Sequence, residues 1–128
     1  MNIVLWVLQV LLAVIMLFHS YLYVAWPANM IEQMRKRQPN AATLSLSPVF
    51  RRFIGLAEGA AALGLILPAL TGILPWLTPL AAVGVIVVMG SAMVFHVRAG
   101  EAPMAVGLLV ILLMALVVAY GRYAVAPL

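Results

Sequence analysis

The chain has 128 residues, 67% of them hydrophobic and 8% charged, and it contains no cysteine. Without cysteine, disulfides, thiol redox chemistry, iron–sulfur clusters and thiolate metal sites are excluded. The net charge of +4 gives no case for nucleic-acid binding, because the basic residues gather at the ends of apolar runs, where membrane topology places them.

Four apolar runs fill the sequence: Ile3–Trp26, Val49–Leu70, Leu77–Val97 and Met104–Val125. A bilayer core needs about 20 mostly apolar residues in helix, and each run meets that length. A soluble domain of this size has too little polar surface to hide four such helices. The mean hydropathy of +1.21 agrees. The expected fold is all-α, a single integral-membrane domain over residues 1–128, with transmembrane helices at 3–26, 49–70, 77–97 and 104–125 in a four-helix bundle. The first run lacks a positive leader and is too long for a cleaved signal, so it reads as an uncleaved signal-anchor.

In chain order, Pro27 is expected to stop the first helix. The loop 27–48 carries Arg35, Lys36 and Arg37, with Met30, Ile31 and Met34 at helical spacing beside them. Two readings fit: a short helix lying in the headgroups, or a plain basic loop. Ser47–Pro48 supplies an N-cap and an N1 proline for the second span. Gly55 and Gly59 form a GxxxG in that span, suited to close packing within the chain or to a homo-oligomer face. Pro68 and Thr71–Gly72 close it. The following link is short, so spans two and three form an antiparallel hairpin. Thr78–Pro79 is expected to cap the third span, Ala99–Gly100 to end it, and Pro103 to open the fourth. Trp26, Trp76, Tyr120 and Tyr123 sit at span ends, as an aromatic belt does. The tetrapeptide Met16–His19 echoes Met93–His96, a pairing that a parallel two-helix repeat would produce.

Arg35, Lys36, Arg37, Arg51, Arg52 and Arg98 fall on one side of the membrane, and only Arg122 falls on the other. The positive-inside rule then predicts a cytoplasmic basic loop and both termini outside.

Ionisable groups inside membrane spans are costly and default to functional candidates. Glu58 lies two turns into its span, about 9 Å deep by helix rise. His19 lies at a similar depth on the first span, and His96, Arg98 and Glu101 sit at the same end. Gln9 and Ser91 are the other polar side chains expected to face inward. Glu58 and His96 are the candidate catalytic pair for moving protons, with His19, Tyr23, Arg52, Arg98 and Glu101 as ligand-binding candidates. The bland alternative is that these groups are interhelical glue. Two histidines from parallel helices can hold a haem axially, but His19 and His96 lie more than a turn apart in depth. A metal ion needs three or four ligands, and nothing in the spacing fixes such a set.

The stretch Arg52-Phe-Ile-Gly-Leu-Ala-Glu58, the run GAAALGLILPALTGILPWLTPLAAVG, the segment Phe95-His-Val-Arg-Ala-Gly-Glu101 and the closing Ala119-Tyr-Gly-Arg122 resemble the DoxX-like family of small four-helix membrane proteins. The resemblance covers residues 50–122. It implies that Arg52, Glu58, His96, Arg98 and Glu101 occupy the family's recurring polar positions. Members often carry a glycine and a lysine near the inner end of the first helix, where this chain has Phe18–Trp26 with His19. The family takes its name from a subunit of a thiosulfate:quinone oxidoreductase, and other relatives accompany membrane redox complexes or assist assembly. The implied function is therefore a subunit or small enzyme of a bacterial inner-membrane redox system, with a quinone-like or other apolar ligand near Glu58 and His96. A non-catalytic assembly partner and an oligomeric transporter of small solutes are the alternatives. The expected partners are the lipid bilayer and another membrane protein.

Overall fold

The computed structural model describes residues 1–25 and 28–128. The expected stop at Pro27 and the belt position of Trp26 lie outside the described residues.

Four helices are long and apolar enough to cross a membrane, and they fall where the apolar runs do. They are α1 (Asn2–Ala25), α3 (Pro48–Thr71), α4 (Leu77–Arg98) and α5 (Ala102–Tyr120), the last continued by a π turn over Gly121–Val125. The basic loop contains a further helix, α2 (Ala28–Arg37), and a 3₁₀ turn over Ala42–Ser45. Helix is thus the outcome for Ala28–Arg37, with Met30, Ile31 and Met34 half-buried and the basic residues exposed.

The helix ends follow local chemistry. Ser47 Oγ accepts the Phe50 N–H at 3.2 Å and Pro48 opens α3, as the Ser–Pro pair dictates. Gly72, at φ 68°, closes α3 in the left-handed region, donating its N–H to the Pro68 carbonyl. Thr78 departs from expectation. The Leu77 and Thr78 amides bond back to Leu74 and Pro75, so α4 begins at Leu77, two residues earlier than a Thr78 cap requires. Thr78 therefore sits inside the first turn, fully buried. Gly100, at φ 77°, turns the chain from α4 into α5.

The spans close into a ring in which α1 packs on α3 and α5, and α4 packs on the same two. Consecutive spans alternate in direction. One end of the bundle carries the loop and the α4–α5 turn; the other carries both termini and the α3–α4 turn. Each span buries a narrow seam at steps of three and four residues, the spacing of a coiled-coil interface. On α1 the seam is Leu5, Gln9, Leu12, Met16 and Tyr23, with half-exposed His19 at its edge; on α3 it is Arg51, Gly55, Glu58, Ala62 and Leu65. On α4 it is Thr78, Ala82, Val85, Met89 and His96; on α5 it runs through Ala105, Leu108, Ala115 and Val118 to Arg122. The middle of the ring is apolar, built on Leu12, Met16, Leu65, Val85, Met89 and Val118. Polar seam residues stand near the two ends. Outward faces are Val, Leu, Phe and Ile, as lipid contact requires.

Candidate functional site

Glu58 is the most deeply placed acid in the chain, its side chain 1% exposed. Across the α1–α3 interface, Nδ1 of His19 meets both carboxylate oxygens, at 3.0 and 2.9 Å, its N–H donating. The ring itself is 38% exposed, and Nε2 makes no hydrogen bond among the described residues. The pair therefore links a buried carboxylate to an imidazole at the bundle surface. Glu58 takes its partner from α1, and not from His96, Arg52 or Arg98.

Tyr23 lies one turn beyond His19, buried, with its ring 4.4 Å from the imidazole. Thr43 of the 3₁₀ turn hydrogen-bonds the Tyr23 side chain, and the charges of Glu58 and Arg51 act on its phenol. The α1–α3 contact is close because Gly55 and Gly59 carry no side chain. A Cβ on Gly55 would meet Tyr23 Cβ and Val24 Cγ2 at 2.9 Å; one on Gly59 would meet Ser20 Oγ at 2.8 Å. The GxxxG face is thus taken by α1 of the same chain.

The second histidine has a separate partner. Nδ1–H of His96, 7% exposed, donates to one oxygen of Glu101 just past the end of α4. The other Glu101 oxygen accepts the Ala42 backbone N–H at 2.8 Å. That amide, and then the His96 contact, hold the Glu101 carboxyl below its ordinary range. His96 and Glu101 act as a latch that ties the loop to the α4–α5 turn. Ala42 and Thr43 are adjacent, so one short turn touches both Glu101 of the latch and Tyr23, whose ring lies against His19. The echoed tetrapeptides end alike, each histidine giving Nδ1 to a carboxylate, but His19 does so across helices and His96 within its own turn.

Arg52 and Arg98 are exposed, and no ion pair joins them to Glu58. The buried arginine of this end is Arg51, two turns before Glu58 on the α3 seam. Ser91 faces outward, its hydroxyl returned to the Val87 carbonyl at 2.8 Å. Among the described residues no three of His, Asp and Glu converge as a metal site would need.

A second polar group stands at the termini end. Gln9 is fully buried; its Nε2 donates to the Leu65 carbonyl of α3 at 2.8 Å, and its Oε1 accepts Nε–H of Arg122. Arg122 also donates to Asn2 Oδ1, and its guanidinium lies 5.3 Å from the centre of the Trp6 ring. Arg122 was legible only as a topology charge, yet it falls on the α5 seam four residues after Val118. That spacing is the signal that finds it, as the same spacing finds Arg51 in place of Arg52.

Two shallow apolar grooves open between α4 and α5. One, of about 330 Å³, runs along Met93, Val97, Ala105 and Leu109; the other, of about 470 Å³, along Trp76, Leu80, Tyr120 and Tyr123. Neither is lined by His19 or Glu58.

No curated protein and no solved structure matches the chain. The sequence pattern of the DoxX-like family matches residues 7–119, beginning inside α1 and ending in the last turn of α5. The match thus takes in most of the first span as well as residues 50–119. With four apolar helices in the expected places and a pattern that covers nearly the whole of them, the chain belongs to the DoxX-like family.

Proposed function

We propose that the chain is a subunit of a bacterial inner-membrane redox system that holds the polar head of a quinone-like ligand against His19. The observation that carries this reading is the His19–Glu58 pair: a sealed carboxylate bound to an imidazole whose far nitrogen faces outward. A carbonyl or hydroxyl on a lipid-dissolved ring would meet Nε2, and Glu58 would supply or take the matching proton through Nδ1. Electrons come from a partner protein. Tyr23 stacks behind the imidazole and fixes its plane. His96 and Glu101 belong to the loop latch, which holds the 3₁₀ turn beside Tyr23. Arg51 supplies positive charge at the same end. The six-to-one bias of basic residues supports placing this end in the cytoplasm.

Native mass spectrometry of protein extracted gently from its own membrane tests the reading. The wild type is expected to carry one quinone-sized ligand, and E58Q and H19N, still helical by circular dichroism, are expected to lose it. A bare wild-type chain, or variants that keep the ligand, would overturn the proposal.

A further inference from the structure

Arg122 is 3% exposed, and the partners it has are all uncharged. Nε goes to the Gln9 side-chain oxygen, Nη1 to Asn2 Oδ1 and, at 3.3 Å, to the Ala126 carbonyl, and the guanidinium lies over the face of Trp6. Nη2 is buried and, among the described residues, has no acceptor at all. The three acidic side chains of the chain are Glu32, Glu58 and Glu101, on α2 or at the loop end. At the termini end, Thr78 is likewise fully buried with its hydroxyl unpaired. Buried polar groups are almost always satisfied, and a buried charge is retained where something compensates it.

We infer that Arg122 is the anchor of an oxyanion site, taking a phosphate-type group on Nη2. A water molecule would satisfy the two Nη2 hydrogens but leave the charge uncompensated; an oxyanion does both. The rest of the guanidinium is already fixed. Gln9 and Asn2 hold Nε and Nη1 with neutral oxygens, which orient the fork without neutralising it. That arrangement suits a binding group better than a structural ion pair, which would spend the charge on the protein's own carboxylate. The site lies between the first turn of α1 and the π turn that ends the fourth span, at the depth of lipid headgroups. Both are helix ends, which open locally at small cost, and that is the way in to a nitrogen now sealed from water. The oxyanion is either free phosphate or the phosphate of an anionic lipid, and the chemistry at Nη2 is common to both.

Trp6 is a reporter built into the site. In a W26F/W76F background, in maltoside detergent, it is the remaining tryptophan. Its emission is followed during titration with inorganic phosphate, with lysophosphatidylglycerol, and with chloride at matched ionic strength. A saturable change with phosphate identifies a free oxyanion, one with the lysolipid alone identifies a headgroup, and either supports the site. R122K, which keeps the charge but loses the fork, is expected to weaken half-saturation roughly tenfold, with R122Q abolishing the response. A saturable rise in thermal midpoint with the same ligand in the wild type serves as a readout that needs no variant. No response to phosphate or lysolipid, an equal response to chloride, or a response that survives in R122K and R122Q would overturn the inference.

Discussion

Truncating one side of the His19–Glu58 contact is not equivalent to truncating the other. Removing His19 strands a sealed carboxylate, whereas removing the charge of Glu58 leaves an imidazole that is over a third exposed and finds water or headgroups. Leaving a buried acceptor unpaired costs about 2–3 kcal/mol, and a replaced exposed bond about 1 kcal/mol or less. H19A is therefore expected to lower unfolding stability in detergent more than E58Q does; the reverse order would show that His19 is not the partner that satisfies Glu58. Glu101 gives a pH dependence of definite sign. Its folded-state carboxyl titrates below the ordinary value of 4.5, so the latch is complete above that value and is lost as pH falls through the lowered one. Amide exchange at Ala42, corrected for its intrinsic pH dependence, should stay slow from pH 8 to 5 and accelerate below. In E101A it should be fast throughout, by about fivefold for a bond of about 1 kcal/mol. An Ala42 amide indifferent to both pH and E101A would remove the latch.

On the scale of helices, α1 and α3 approach closely at two glycines, and the two differ. A methyl at Gly55 would strike Val24 Cγ2 and also Tyr23 Cβ and the Ser20 carbonyl, the last two moving only with the backbone. A methyl at Gly59 would strike the Ser20 hydroxyl alone. G55A is expected to cost about 1–3 kcal/mol by overpacking, with G59A milder and restored by S20A. G84A, where a Cβ meets nothing, serves as the neutral control. Thermal unfolding in detergent ranks them, and equal losses at Gly55 and Gly84 would refute the packing account. The same seams explain what could be read from sequence. Span number and approximate extent were legible because hydropathy sets them, while the ends follow local caps and turns. Rotation was also encoded, since stepping by three and four from Glu58 reaches Arg51, and from Val118 reaches Arg122. A motif containing Arg52 drew attention one residue off the seam, to a side chain that points outward. Thr78 misled for a local reason: the turn at Leu74–Trp76 starts α4 before the threonine that resembles its cap.

For the whole molecule, the direction of insertion proposed from the charge bias is open to a direct check, because the chain has no cysteine of its own. N40C in the loop and Y123C at the termini end are exposed positions on opposite sides of the bundle. In intact spheroplasts a membrane-impermeant maleimide should label Y123C and spare N40C until the membrane is permeabilised; the opposite pattern would invert the topology. The partnering of polar groups was less legible than the fold, because it depends on which seams face each other. Glu58 could have met an arginine or either histidine; in the ring α3 lies beside both α1 and α4, and the α1 seam brings His19 to Glu58 while His96 is taken by Glu101.

That ring order has a consequence for how such an apolar bundle keeps its alignment. Leucine against lipid and leucine against leucine differ little in energy, so a helix in a membrane is free to slide along its neighbour unless something indexes it. Gln9 on the Leu65 carbonyl and His19 on Glu58 are two pins between the same pair of helices, set one toward each end. A slip of a single turn would unseat both at once and leave their polar atoms in hydrocarbon. Arg122, reaching Gln9 from the last span, pins a third helix to the same mark. The sparse polar side chains thus act as a vernier for three otherwise featureless rods.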